Sequence, residues 1–215
     1  MSTTKLCLIR HGETAWNAER RLQGHTDIPL NTKGILQARQ MAQALKKTKL
    51  FFDVLYTSDL KRAADTANAI VELFGVQARV DSALRERHFG ALQGLTTQEA
   101  PLLQPAIWQA HTTRDLEHEL EGGESIQQFA FRVQTILDKI QKQHSGKTIL
   151  LVSHGGTLDM MYRIANKQAL RAERVASVPN ASLNWITHQE GDGWSIEKWA
   201  DIRHLEGSVL EGVDL

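Results

Sequence analysis

The chain has a single cysteine, Cys7, among 215 residues. One thiol excludes a disulfide framework and any multi-cysteine zinc site. Charge of one sign is also lacking. Twenty-five basic and 25 acidic residues give a formal net charge of zero. That balance argues against a partner such as nucleic acid or an anionic membrane surface, which needs a basic footprint. No apolar run approaches the roughly 18 to 20 residues of a membrane span. Proline is scarce, at four residues, and no repeat, low-complexity tract or Pro/Gly/Ser linker divides the chain. A single domain over 1–215 is expected. Met1 to Lys5 runs into a short apolar stretch without a signal peptide pattern, so a cytoplasmic protein is expected. The sequon Asn180-Ala181-Ser182 then has no glycosylation to report.

What is present is ordinary globular composition, 41% hydrophobic and 23% charged. Leu6-Cys7-Leu8-Ile9, Asp53 to Thr57 and Thr148 to Val152 are short, continuous apolar runs of the kind that form strands buried on both faces. Ala78-Arg79-Val80 reads as a shorter strand. Ile35, Ala38, Met41, Ala42 and Leu45 recur at helical spacing behind a cap at Asn31-Thr32. A second helix carries Leu60, Ala63, Ala64, Ala67, Ile70, Val71 and Phe74 on one face and stops at Gly75. Ser125 to Gln143 is the clearest helix, and Leu158, Met161, Tyr162 and Ala165 suggest another. Residues 96 to 120 are polar and weakly patterned. Ser182 to Thr187 and Trp194 to Trp199 alternate as two strands around Gly191-Asp192-Gly193. Strands alternating with amphipathic helices predict an α/β class, a three-layer α/β/α sandwich around a mostly parallel sheet.

In such sheets chemistry gathers beyond the carboxyl ends of the strands. Two of the apolar runs end there in a histidine and a glycine: Arg10-His11-Gly12 and Ser153-His154-Gly155-Gly156. A third delivers Arg62 at the start of a helix, where free N–H groups also favour an anion. Taken singly, each piece has a plain structural reading: a His-Gly strand end, a solvated helix arginine, a surface carboxylate at Glu86. Together they describe a tetrahedral-anion pocket. Guanidinium forks match phosphate oxygens and stay charged. A neutral imidazole can attack phosphorus through one nitrogen while the other is held by a hydrogen bond. Glu86, flanked by Arg85, Arg87 and His88, is the candidate acid for the leaving oxygen. Arg10, Arg62, Arg87 and the two histidines would gather on one rim, opposed by Glu86 and Glu13. The other histidines, His25, His88, His111 and His118 among them, lack metal-ligand spacing.

The string Leu8-Ile9-Arg10-His11-Gly12-Glu13-Thr14, continuing to Trp16-Asn17, resembles the signature of the histidine phosphatase superfamily, in its phosphoglycerate mutase-like branch. The resemblance runs in order through Arg20 to Gly24, Asp27 to Gly34, Ser58 to Ala63 with Asp65 to Ala67, Leu84 to Gly90, Gly122 to Ser125 and Val152 to Gly155. It implies a phosphoglycerate mutase-like fold and phosphoryl transfer without metal or other cofactor. By the same resemblance His11 would be the nucleophile, and Arg10, Arg62 and His154 would hold the phosphoryl oxygens beside Gly155. Asn17 would add a donor, and Glu86 would be the general acid and base. Gly12 would keep side chains away from the nucleophilic ring. Gln23, Gly24, Arg87 and His88 would line the substrate side.

Mutases and phosphatases of this kind share the phosphohistidine. They differ in whether the alcohol is clamped or released. Glu86 to Leu95 is similar to the cofactor-dependent mutases. Against that, Thr97 stands where those have lysine, Trp108-Gln109-Ala110 replaces Trp-Arg-Arg, and Gly155-Gly156 replaces Gly-Asn. Missing positive side chains weigh heavily for a substrate with a carboxylate as well as a phosphate. The expected activity is hydrolysis of a small phosphomonoester. A mutase is the alternative, and a non-enzymatic phospho-ligand binder a remote one. The expected partner is a small phosphorylated metabolite, with no nucleic acid and no membrane. A homo-oligomer is left open.

Overall fold

The three parallel strands at the centre of the sheet come from the apolar runs, because a strand covered by helices on both faces needs apolar side chains on both. The computed structural model describes residues 2–205. The expected domain, 1–215, also takes in residues 1 and 206–215, outside the described residues.

The strands are β1 (Thr4–Arg10), β2 (Val54–Thr57), β3 (Ala78–Val80), β4 (Thr148–Ser153), β5 (Leu183–Gln189) and β6 (Gly193–Asp201). The helices are α1 (Ala15–Ala18), α2 (Thr32–Lys47), α3 (Lys61–Phe74), α4 (Ala100–Leu103), α5 (Pro105–Thr112), α6 (Ile126–Gln143) and α7 (Gly155–Ala165). Sheet order is β3-β2-β4-β1-β5-β6. β3, β2, β4 and β1 are mutually parallel, and β5 and β6 close the sheet antiparallel at one edge.

Successive side chains of a strand point to opposite faces, and the core divides accordingly. Leu6, Leu8, Ile149 and Leu151 pack on α6 and α7 through Phe129, Val133, Leu137 and Leu158. Cys7, Ile9, Leu150 and Val152 pack on α2 and α3 through Met41, Leu45, Ala63, Ala67 and Ile70. This is the three-layer sandwich. A separate small cluster of Leu22, Leu92, Ala100, Ile107 and Leu120 supports the residues above the carboxyl ends of the strands.

The helix signals act as expected at their ends. Asn31 caps α2 by accepting from Gly34 N, Ser125 makes a reciprocal capping box with Gln128, and Gly75 terminates α3 with φ +68°. One core assignment is corrected. Ile35 is 44% exposed, and Gln37 is buried in its place. Gln37 Oε1 accepts Glu13 N at 2.8 Å, so this side chain serves a backbone group of the loop after β1.

Candidate active site

Parallel pairing brings together two histidines far apart in sequence. β1 and β4 lie side by side with Arg10 opposite Ser153. The next residue on each strand is therefore a histidine at the same level. The His11 and His154 rings are 5.2 Å apart between centroids, tilted by 59°. His11 N donates to Ser153 O at 2.9 Å, which fixes β1 at its exit.

The His11 ring has a defined tautomer. Nδ1 is 2.7 Å from Gly12 O, and a carbonyl only accepts, so Nδ1 carries the proton and Nε2 keeps its lone pair. Burial, then the Arg62 and Arg10 charges, hold the His11 pKa well below the ordinary value. The ring is therefore neutral at working pH. Gly12 lays its backbone carbonyl against the ring, and it also meets a second neighbour. A Cβ there would stand 2.5 Å from Gly34 O, so the glycine allows the β1 exit to pack on the first turn of α2.

His11, Arg10, Asn17, Arg62, Glu86 and Gly155 line one cavity of about 60 Å³, together with Gln23, Gly24, Gly156 and Arg174. Arg62 is 1% exposed. It donates from Nη2 to Gly24 O at 2.7 Å, from Nη1 to Thr26 O at 2.9 Å and from Nε to His154 Nδ1 at 3.2 Å. Five N–H groups less these three leave one hydrogen on each terminal nitrogen. Burial lowers its pKa to about 10, so it remains a cation at neutral pH. Arg10 is oriented by a donation to Val178 O at 2.5 Å. Its guanidinium lies against Gly155, where a Cβ would be 3.4 Å from it. Asn17 Oδ1 accepts from Thr14 N and Thr14 Oγ1, both at 3.1 Å. That leaves its amide NH₂ as the donor end at the cavity.

Glu86 is held from the opposite wall. Its Oε1 accepts Arg87 N and its Oε2 accepts Gly156 N, both at 2.8 Å. Gly156 is in the first turn of α7, where N–H groups lack helical partners. A Cβ on Gly156 would be 2.3 Å from Glu86 Oε1. The second glycine of the pair thus admits the carboxyl to the site. The Glu86 backbone carbonyl accepts from Arg132 Nη2 at 3.0 Å and from His25 Nε2 at 2.8 Å. Arg132 is itself fixed by a two-pronged contact with Glu124, each prong 2.7 Å.

Several expected residues have other positions. His154 is fully buried behind Arg62. Its Nδ1 accepts from Arg62, so Nε2 carries the proton and donates to Ser58 Oγ at 2.9 Å. Both nitrogens thus have protein partners. The ring orients Arg62 and does not offer the cavity a free donor. His88 faces neither cavity wall: its Nδ1 accepts Gly90 N at 3.1 Å and its ring stacks edge-on with His25. Arg87 donates from Nε and Nη2 to Glu124 O at 3.0 and 2.8 Å and borders a neighbouring cavity. Arg85 pairs with Asp59 at 2.6 Å, and Glu13 pairs with Lys33 at 2.8 Å. Neither charge faces the pocket. The pocket balance is thus Arg10, Arg21, Arg62 and Arg174 against Glu86, with Arg21 already paired with Glu19 and Glu99.

Sequence reasoning passed over Gly156 and Arg174. Gly156 had a signal, since the doubled glycine at a helix start invites a close approach. Arg174 had none, because it lies in an irregular segment outside any motif. Among the described residues no three His, Cys, Asp or Glu side chains cluster as metal ligands.

Fold and pocket define the class: an α/β enzyme that presents a neutral imidazole, two buried guanidinium groups and a carboxyl to a small tetrahedral anion. The chain belongs to the histidine phosphatase superfamily (branch 1), whose model matches residues 6–202. It is 39% identical to phosphoglycerate mutase-like protein 4 of Arabidopsis thaliana over 204 residues, covering 94% of this chain and 87% of the relative. It is 37% identical over 215 residues to a metal-independent phosphoserine phosphatase of the same plant, covering 98% and 88%. The structure of Bacillus stearothermophilus YhfR superposes with a TM-score of 0.85 at 29% identity, covering 94% of this chain and all of that one.

Proposed function

We propose that this protein is a metal-independent phosphatase that hydrolyses a small phosphomonoester through a phosphohistidine on His11. The observation that carries the reading is the His11 ring itself. It is neutral, its Nδ1–H is committed to Gly12 O, and it shares a cavity of about 60 Å³ with Arg10, Arg62 and Glu86.

In the first step His11 Nε2 attacks phosphorus and the ester P–O bond breaks. The transferring group spreads charge over three equatorial oxygens. Arg10, Arg62 and the Asn17 amide supply fixed donors there, so little reorganisation is needed as charge develops. Glu86 gives its proton to the leaving oxygen, and the alcohol departs. In the second step Glu86, now a carboxylate, takes a proton from water as the water oxygen attacks phosphorus. The N–P bond breaks, inorganic phosphate forms, and His11 and Glu86 return to their starting states. A positioned acid of this kind contributes about 10²- to 10⁴-fold. His154 acts through Arg62 as a positioning residue.

The mutase reading retains the string from Glu86 to Leu95. It lacks the clamp: Thr97, Gln109 and Ala110 carry no positive charge. The setting we expect is the cytoplasm, consistent with a lone buried thiol at Cys7 and no disulfide. The test is hydrolysis of p-nitrophenyl phosphate with and without EDTA, followed by 3-phosphoglycerate with catalytic bisphosphoglycerate. Chelator-resistant release of phosphate is the expected result. Loss of activity in EDTA, or formation of 2-phosphoglycerate faster than phosphate from any monoester, overturns it.

A further inference from the structure

Asn180 opens the sequon Asn180-Ala181-Ser182, and the fold gives its amide a different use. It lies in the turn that enters β5, with 3% of its surface exposed. That turn is laid on the end of β1. Val178 O accepts from Arg10 Nη1, and Ala181 N donates to Arg10 O at 3.0 Å and to His11 O at 3.3 Å. Ala181 takes φ +56° there, a region that side-chain-bearing residues rarely adopt. His204 Nε2 steadies the turn from its other side, donating to Ala181 O at 2.9 Å. The turn is thus attached to β1 without help from the Asn180 side chain.

That side chain reaches further. Its Nδ2 donates to His11 O at 2.9 Å and to Asn17 Oδ1 at 3.4 Å. Both oxygens only accept, so the amide must face them with its nitrogen, and its two hydrogens are spent. Its own Oδ1 is buried without a hydrogen-bond partner among the described residues. An apolar side chain would fill this space without stranding an acceptor, so packing alone does not call for an amide.

We infer that Asn180 is a positioning residue of the anion pocket: it ties the Asn17 amide to the nucleophile residue, so that this donor meets the phosphoryl oxygens at a fixed distance from the His11 ring. This rests on the phosphatase reading and adds a residue to it. Thr14 does a different job. Thr14 caps α1 and forms a reciprocal capping box with Asn17, which sets the orientation of the amide within its own turn. None of the four residues of α1 is buried, so α1 has little packing of its own to hold it. Asn180 comes from the far end of the chain and sets the amide against His11.

The test is a double-mutant cycle of Asn17→Ala and Asn180→Ala in the full chain. It is read as kcat/KM on p-nitrophenyl phosphate and hexyl phosphate and, without turnover, as orthovanadate affinity by titration calorimetry. Misplacing a positioned group costs up to about 10²-fold, and because the 3.4 Å contact is long and Thr14 remains, about tenfold is expected for Asn180→Ala. The loss should be equal on the two esters, because Glu86 is untouched. In the Asn17→Ala background the same change should cost less than about threefold, in turnover and in orthovanadate affinity alike. An equal factor in both backgrounds would mark a merely structural residue and overturn the inference, as would no loss or a loss confined to hexyl phosphate. Asn180→Asp keeps the shape of the side chain and serves if the alanine variant fails to fold. It turns an oxygen toward Asn17 Oδ1, so it should lose at least as much, and Asn17→Ala should relieve part of that loss. A fully active aspartate variant, or one that Asn17→Ala does not relieve, also overturns the inference. If no ester is hydrolysed while the cycle still couples in orthovanadate affinity, the phosphatase reading falls and the positioning of Asn17 stands.

Discussion

The two adjoining cavities are built in different ways. The phosphate pocket is assembled at strand ends. β1 supplies Arg10 and His11, the turn after β2 leads to Arg62 in the first turn of α3, and β4 leads to Gly155 and Gly156 in α7. Sheet register fixes these positions to within a hydrogen bond, because a slip of one residue would turn every buried strand side chain to the wrong face. The second cavity takes Arg114 from the segment after α5 and Arg174 from the irregular stretch between α7 and β5. Nothing periodic sets those positions. The chemistry common to a family thus occupies the part of the molecule with the least freedom. The second cavity lies in the part that can change without disturbing the sheet.

Substitutions should separate the two cavities. The largest effect is expected from His11→Ala, a loss of at least about 10⁴-fold in kcat on every ester, since no other group replaces the nucleophile. A loss that depends on the leaving group would break the division. Glu86→Gln is expected next, with about 10²- to 10⁴-fold loss on alkyl phosphates and a smaller loss on p-nitrophenyl phosphate, whose leaving group needs no proton. Equal slowing on both would remove Glu86 from the acid role. Gly156→Ala places a Cβ about where Glu86 Oε1 now lies, 2.3 Å away. It should reproduce the Glu86 pattern of leaving-group dependence at about 10- to 100-fold. An alanine variant with normal alkyl phosphate turnover would show that the carboxyl does not need this approach.

A smaller effect concerns pH and stability. His11 and His154 are buried, and both pKa values are held well below 6.5, first by burial and then by Arg62. Below about pH 6.5 the unfolded chain takes up protons that these two rings refuse in the folded state. Stability should therefore be full above pH 6.5 and fall as pH drops below it, by up to about 1.4 kcal/mol per pH unit for each ring. Urea unfolding midpoints between pH 7 and 5 measure this. The His154→Gln variant should lose part of the slope, and an unchanged slope would mean that the ring titrates freely.

The strands, the two long helices and the order of the layers were legible in the sequence because their signals are local and periodic. Apolar runs, the Asn31 and Ser125 caps and Gly75 each state their own geometry. The pocket residues His11, Arg10, Arg62 and Glu86 were legible because strand ends point to where chemistry gathers. What escaped was second-partner information. That His154 spends both nitrogens on Arg62 and Ser58, that Arg85 is taken by Asp59, and that Gln37 displaces Ile35 from the interior all depend on contacts between distant residues. Spacing along the chain carries no trace of them. Gly12 teaches the same point, since besides the His11 ring it meets Gly34, which its own motif does not announce.

The central claim is covalent chemistry on one nitrogen. Rapid quenching of the enzyme during turnover of a phosphomonoester, in the presence of EDTA, with the modified residue mapped by mass spectrometry, tests it most directly. The account predicts an acid-labile, base-stable phosphoryl group on His11 that forms and decays at rates compatible with turnover, and no such group in His11→Ala. Phosphoryl label on another residue, or turnover with no covalent intermediate in His11→Ala, would contradict it.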